Sequence, residues 1–337
     1  MEDTEYSESS NNVERLDAYI DMEDNDVKEV PRHRRTWSSH DNSIHKTVIK
    51  EGDLDSSRPR FGASGELSIS RVKIVGLADN DKIGDESVSK YFNGDQTVEF
   101  EIGMAITAID RAFETSLQSF LPGEVSNVCF NVFIEQKYNQ KIKTCAEPYW
   151  VTIDCEITLK TLTNADPLYK WYPETKLNKG KDMYAEGVEL FKLGRYLDAF
   201  HFFQWAYKLS VFSVGIQKTE KHPGDQTAPE IVSEAKKFRI SCCNNLAACH
   251  FQWNNFKHVV DLSSIVLKQD PNLMKALYRR GVSYLGLNEF DLAEKDLVAA
   301  HKLDPNNRAV NEKLGHVKQK RKASQAEMTK NLSKMFA

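Results

Sequence analysis

The stretch KALYRRGVSYLGLNEFDLAEKDLVAAHKLDPNN (Lys275–Asn307) decides how this 337-residue chain is read. Its apolar residues recur at helical spacing, with small residues at fixed places among them. In a 34-residue unit begun at Met274, Gly281 takes position 8, Tyr284 position 11, Ala293 position 20, Ala300 position 27 and Pro305 position 32. The unit before it begins at Ile240, with Ala247 at 8 and Pro271 at 32. An earlier unit begins at Gly180, with Gly187 at 8, Ala199 at 20, Phe203 at 24 and Ala206 at 27. Small residues at these offsets let two antiparallel helices approach closely, and proline ends the second helix.

Three units with this pattern, two of them abutting, are the signature of tetratricopeptide repeats (TPRs), here near 180–213, 240–273 and 274–307. Between the first two lies Val214–Arg239 with the breaker Lys221-His222-Pro223-Gly224-Asp225, read as an extended helix, a loop and a run-up to the next helix. A polar helix over 309–335 is predicted to cap the array, since a stack of repeats needs a terminal cover. The helical domain is set at 177–337.

Upstream, over 44–165, the period changes to two. Val151, Ile153, Cys155, Ile157 and Leu159 alternate with polar residues, as do Val98, Phe100 and Ile102. Phe130, Val132 and Ile134 add another strand, and the pairs Leu67/Ile69 and Val72/Ile74 predict a strand with a bulge between them. Ile106, Ile109, Ala112, Phe113 and Leu117 recur at helical spacing among these strands. The fold class is therefore a small α+β domain with an antiparallel sheet, followed by an all-α solenoid with a C-terminal capping helix. Residues 1–43 read as a disordered tail, acidic to Val30 and then basic through Arg32–Arg35.

Bulk properties narrow the function. A net charge of −4 with dispersed Lys and Arg gives no field for nucleic acid, and no apolar run is long enough for a membrane span. Six cysteines without metal-ligand spacing read as reduced thiols in a cytosolic or nuclear chain. No phosphate loop, nucleophile elbow or dinucleotide fingerprint occurs, so no cofactor or metal is expected. His250 falls at position 11 of its repeat and reads as a packed helix residue, and Cys242 and Cys243 read as inert.

Several segments carry a family resemblance: NNLAACHFQW (244–253), KALYRRGV (275–282), LDPNNRAVNEKLG (303–315), the ending LSKMFA, and, less fully, TVIKEGD (47–53) and SLQSFLPGE (116–124). Together they resemble the TPR-containing immunophilins of the FKBP class, which implies a divergent FKBP-like domain before the repeats. Active members carry Val-Ile-x-Gly-Trp, whose tryptophan floors a proline pocket, and a later Ala-Tyr-Gly loop. The corresponding segment here, MAITAIDRAFETSLQSFLPGE (104–124), has no tryptophan, and no Ala-Tyr-Gly follows; Trp150 and Trp171 lie outside it. The expectation is a degenerate prolyl isomerase domain without activity.

The resemblance also implies a carboxylate clamp, five residues on the first helices of the repeats that grip the C-terminal Met-Glu-Glu-Val-Asp of heat-shock protein 90. Asn245, Lys275 and Arg279 match three of these by repeat position, while Tyr184 and Val188 replace the lysine and the polar residue of the first unit. Lys181, one turn before Tyr184, is a candidate to reach the same carboxylate. Lys275 and Arg279 lie one turn apart, so they share one face of their helix. The reading is a non-catalytic co-chaperone that binds heat-shock protein 90 and clients. An active isomerase and an interaction hub without chaperone binding stay open as alternatives.

Overall fold

The computed structural model describes residues 35–76, 89–92, 94–134, 138–139, 144–145, 149–214 and 228–335. The acidic run, the basic patch up to Arg34 and the breaker at 221–225 lie outside these residues. The chain divides into two compact units: a sheet unit that ends at Tyr172 and takes in Lys192–Asp198, and a helical unit of Pro173–Phe191 and Ala199 onward.

Alternation of apolar and polar residues builds the sheet unit. β1 (Thr36–Ser38), β2 (Ile44–Lys50), β3 (Ser64–Val75), β4 (Gln96–Glu101), β5 (Val125–Ile134) and β8 (Tyr149–Thr163) form one antiparallel sheet in the order β1-β2-β5-β8-β3-β4. The short β6 (Tyr138–Asn139) and β7 (Thr144–Cys145) pair with each other. One face of the sheet buries Leu67, Ile69, Val128, Phe130, Val151, Ile153, Ile157 and Leu159. Against it lies α1 (Ala108–Leu117), which contributes Ile109, Phe113 and Leu117. Thr107 caps this helix, its side chain accepting from the Asp110 amide.

The bulge predicted in β3 is present. Its register against β8 shifts between Ser70 and Lys73, and Arg71 takes φ +57° there, which returns Ile74 to the core side opposite Ile153. The disordered tail predicted to run to residue 43 is corrected over its last residues. Thr36–Ser38 pairs with His45–Thr47, and the Asp41 carboxylate accepts from Ser39 Oγ, Ser43 Oγ and the Ser43 amide in the connecting turn. A three-residue strand in polar surroundings has no period to read, and Trp37, which packs on the core, was its only apolar signal.

The helical unit is three hairpins and a cover: α2 (Pro173–Lys192) with α3 (Tyr196–Val214), α4 (Pro229–Gln252) with α5 (Phe256–Gln269), α6 (Met274–Gly286) with α7 (Phe290–Leu303), then α8 (Arg308–Met335). Every repeat offset quoted for small residues is buried: Gly187, Ala247 and Gly281 at position 8, Ala199 and Ala293 at 20, Ala206 and Ala300 at 27. The glycines serve close approach. A Cβ on Gly281 would stand 2.8 Å from Leu297 Cγ, and one on Gly187 2.8 Å from the Phe203 ring. The first helices of the first two repeats are longer than the repeat requires. α4 in particular starts eleven residues before Ile240, so the run-up to the second unit is itself helix.

Candidate functional site

The predicted groove residues fall on the first helices of the repeats, Lys181 on α2, Asn245 on α4, and Lys275 and Arg279 on α6. These three helices meet through their side chains. Tyr184 packs against Phe238 of α4 with ring centroids 5.4 Å apart, and Phe251 of α4 approaches Tyr278 of α6.

Arg279 is half-buried and donates from Nη1 to the Asn244 side-chain oxygen at 2.9 Å and to the Asn244 carbonyl at 3.3 Å. Burial lowers its pKa, yet a guanidinium stays charged, so it brings a fixed cation to the α4–α6 seam. Lys275, one turn earlier, is exposed. Arg280 points elsewhere. Its guanidinium pairs with both oxygens of buried Asp296 on α7, at 2.7 and 2.9 Å, and donates to Ser264 on α5, so it ties the repeats internally. Of two adjacent arginines, one faces the neighbouring first helix and the other the repeat interior.

Asn245 hydrogen-bonds the Tyr184 hydroxyl, so the residue standing in for the clamp's first lysine is joined to the clamp's asparagine. Lys181 does not stand free, because its Nζ lies 2.7 Å from Glu234 Oε1 on α4. The structure thus brings Asn245 next to Tyr184, and Arg279 next to Asn244, and draws Lys181 to Glu234. Sequence reading missed Asn244 and Glu234. Asn244 carried a signal as the twin of Asn245, whereas Glu234 lies outside the 34-residue template.

The FKBP-like segment shows a different environment. Ile109, Phe113, Leu117 and Phe120 are all buried, and Phe113 is surrounded by Tyr91, Phe92 and Phe130 at centroid distances of 4.7, 5.3 and 6.4 Å. Two carboxylates on the same helix are buried as well. Asp110 accepts from Ser89 Oγ and the Lys90 amide; Glu114 accepts from Tyr91 Oη at 3.0 Å and the Gly103 amide at 2.6 Å. Burial pushes the Glu114 carboxyl up to about 7 and raises Asp110 too. A charge on an amphipathic helix reads as solvated, so this pair carries no signal in the sequence.

His250 is buried in an aromatic cluster, 5.2 Å from Phe200, 5.7 Å from Trp253 and stacked 4.8 Å from His258. It is the packed helix residue expected. Burial, then the neighbouring His258, lowers its pKa to about 4. Cys242 and Cys243 are also buried, and burial holds the Cys242 thiol well above its ordinary value, away from thiolate chemistry.

The family model described as "BDBT FKBP like N-terminal" matches residues 37–164, and the tetratricopeptide repeat model matches 275–307. The chain is a homologue of the TPR-containing immunophilins. Human peptidyl-prolyl cis-trans isomerase FKBP4 is 28% identical over 181 residues, 54% of this chain and 37% of its own. FK506-binding protein 59 of Drosophila melanogaster is 29% identical over 254 residues, 72% of this chain and 52% of its own. FK506-binding protein-like of Rattus norvegicus is 30% identical over 182 residues, 54% of this chain and 47% of its own, and does not stand apart from the others. The chain spans about half or less of the length of these relatives.

Proposed function

We propose that this immunophilin homologue is a non-catalytic co-chaperone. Its repeats take the acidic C-terminal peptide of heat-shock protein 90, and its sheet unit contacts client proteins. The observation that carries the reading is the array Asn244, Asn245, Lys275 and Arg279 on adjacent first helices, with cations and amide side chains grouped for a carboxylate. Arg279 is not a solvated charge, since it is half-buried and held by Asn244 at the seam of the two helices. The absence of catalysis is supported by the fate of the FKBP-like segment, whose apolar side chains are spent in the core with no tryptophan among them. Client contact is supported by the solvent side of the sheet, where the rings of Phe133 and Trp150 lie 5.3 Å apart, tilted against each other, while 39% and 63% exposed.

Calorimetric titration of the full chain with Met-Glu-Glu-Val-Asp tests the reading. The free acid should bind, and the C-terminally amidated peptide should not. Charge-assisted contacts contribute about 1.5–3 kcal/mol each, so Arg279→Ala and Lys275→Ala should each weaken binding by about tenfold or more. Asn245→Ala should weaken it as well. Equal binding of acid and amide would favour an interaction hub without chaperone binding. Acceleration of X-Pro isomerisation by the full chain would favour the enzyme reading over the scaffold.

A further inference from the structure

The segment preceding the second repeat adds a residue that a regular array lacks. α4 begins at Pro229, and its extension before Ile240 runs beside α2 of the first repeat. The extension is anchored: Ala235 is fully buried, and Phe238 packs on Tyr184 and lies 3.3 Å from where a Cβ on Gly180 would stand. Glu234 sits one residue before the first anchor and one turn before the second, so its carboxylate is delivered to a set place. There it meets Lys181, with Nζ and Oε1 2.7 Å apart.

We infer that Glu234 is a built-in competitor for the groove's acidic ligand, neutralising Lys181 and confining carboxylate recognition to the α4–α6 side, where Asn244, Lys275 and Arg279 stand. The inference rests on the acidic-peptide reading above and deepens it. A carboxylate that approaches Lys181 must displace another carboxylate held on the same scaffold. It gains one charge-assisted contact and frees one anion beside itself, so the exchange yields little. Lys181 is 39% and Glu234 55% exposed, so the pair is screened by water, and its effect on a ligand is graded rather than absolute. Tyr184, hydrogen-bonded to Asn245, adds no charge to this half of the groove. The ligand selected is therefore an acidic peptide whose carboxylates gather at one end, against the second and third repeats.

The experiment is calorimetric titration of the full chain with Met-Glu-Glu-Val-Asp at low and at physiological salt, using wild type, Glu234→Gln, Lys181→Ala, the double variant and Arg279→Ala. Glutamine keeps an acceptor for Lys181 and removes the charge. Glu234→Gln should tighten binding by about threefold to tenfold, more at low salt. Lys181→Ala alone leaves the Glu234 carboxylate without its cation beside the groove and should weaken binding severalfold, and in the Glu234→Gln background it should abolish the gain. Binding detectable only in Glu234→Gln, and lost again in the double variant, would support the inference equally. Affinity of Glu234→Gln within twofold of wild type, with Arg279→Ala still weakening, would overturn the competitor role and leave the groove standing. Peptide that binds wild type and Arg279→Ala alike, or binds no variant, would remove the groove reading and this inference with it.

Discussion

Glu114 and His250 respond to protons in opposite directions. The folded chain holds the Glu114 proton up to about pH 7, whereas an ordinary glutamate releases it near 4.5. The folded state therefore binds more protons between those values. This contribution to stability is full below about 4.5 and is lost as pH rises through 7, on the order of 3 kcal/mol over the window. Glu114→Gln, which retains an acceptor for the Gly103 amide, should flatten that part of the stability–pH curve in denaturant titrations. Packing makes its own demand at Gly281. A methyl there meets Leu297 at 2.8 Å, so Gly281→Ala should cost about 1–3 kcal/mol by overpacking, in spite of alanine's better helix propensity. Gly281 was legible in the sequence because it recurs as Gly187. Glu114 was not, because nothing in a single sequence distinguishes a buried helical carboxylate from a solvated one until its partners, Tyr91 and Gly103, are brought in by the fold.

Among the elements, the repeat hairpins were the most legible, since a 34-residue period marks their packed positions directly. What fell outside the period stayed dark: the extension of α4, the strand β1, and the cross-helix pairing of Lys181 with Glu234. The capping helix illustrates both cases. Its predicted role is met by Val310 and Val317, which are fully buried, and by Arg321, which pairs with Glu294 and lies 3.7 Å from Asp291 on α7. Residues 322–326 are exposed on a helix that continues to Met335. The double change Lys322→Ala, Gln325→Ala should therefore leave the thermal midpoint of the full chain unchanged to within a degree or two. Val317→Ala should lower stability by up to about 1.5–3 kcal/mol, the worth of a fully buried valine. Circular dichroism melts of the two variants separate a cover from a tail.

For the whole molecule, the opposite proton linkages reside in different units. His250 is depressed to about 4 from an ordinary 6.5, so its contribution is full above 6.5 and is lost as pH falls through 4. Acidification from pH 7 to 5 should thus weaken the helical unit through His250 while strengthening the sheet unit through Glu114. Scanning calorimetry of the full chain against His250→Phe and Glu114→Gln should show the two differences with opposite signs. Like signs would mean that one of these groups is open to water. The pair Phe133 and Trp150 has an optical consequence. Of five indoles, Trp150 is the exposed one, while Trp37, Trp171, Trp205 and Trp253 are partly covered by the fold. Acrylamide should quench Trp150 first, and Trp150→Phe should remove most of the red-shifted emission. Any protein that settles on that side of the sheet then announces itself as a blue shift and a loss of quenching, with no label attached to either molecule.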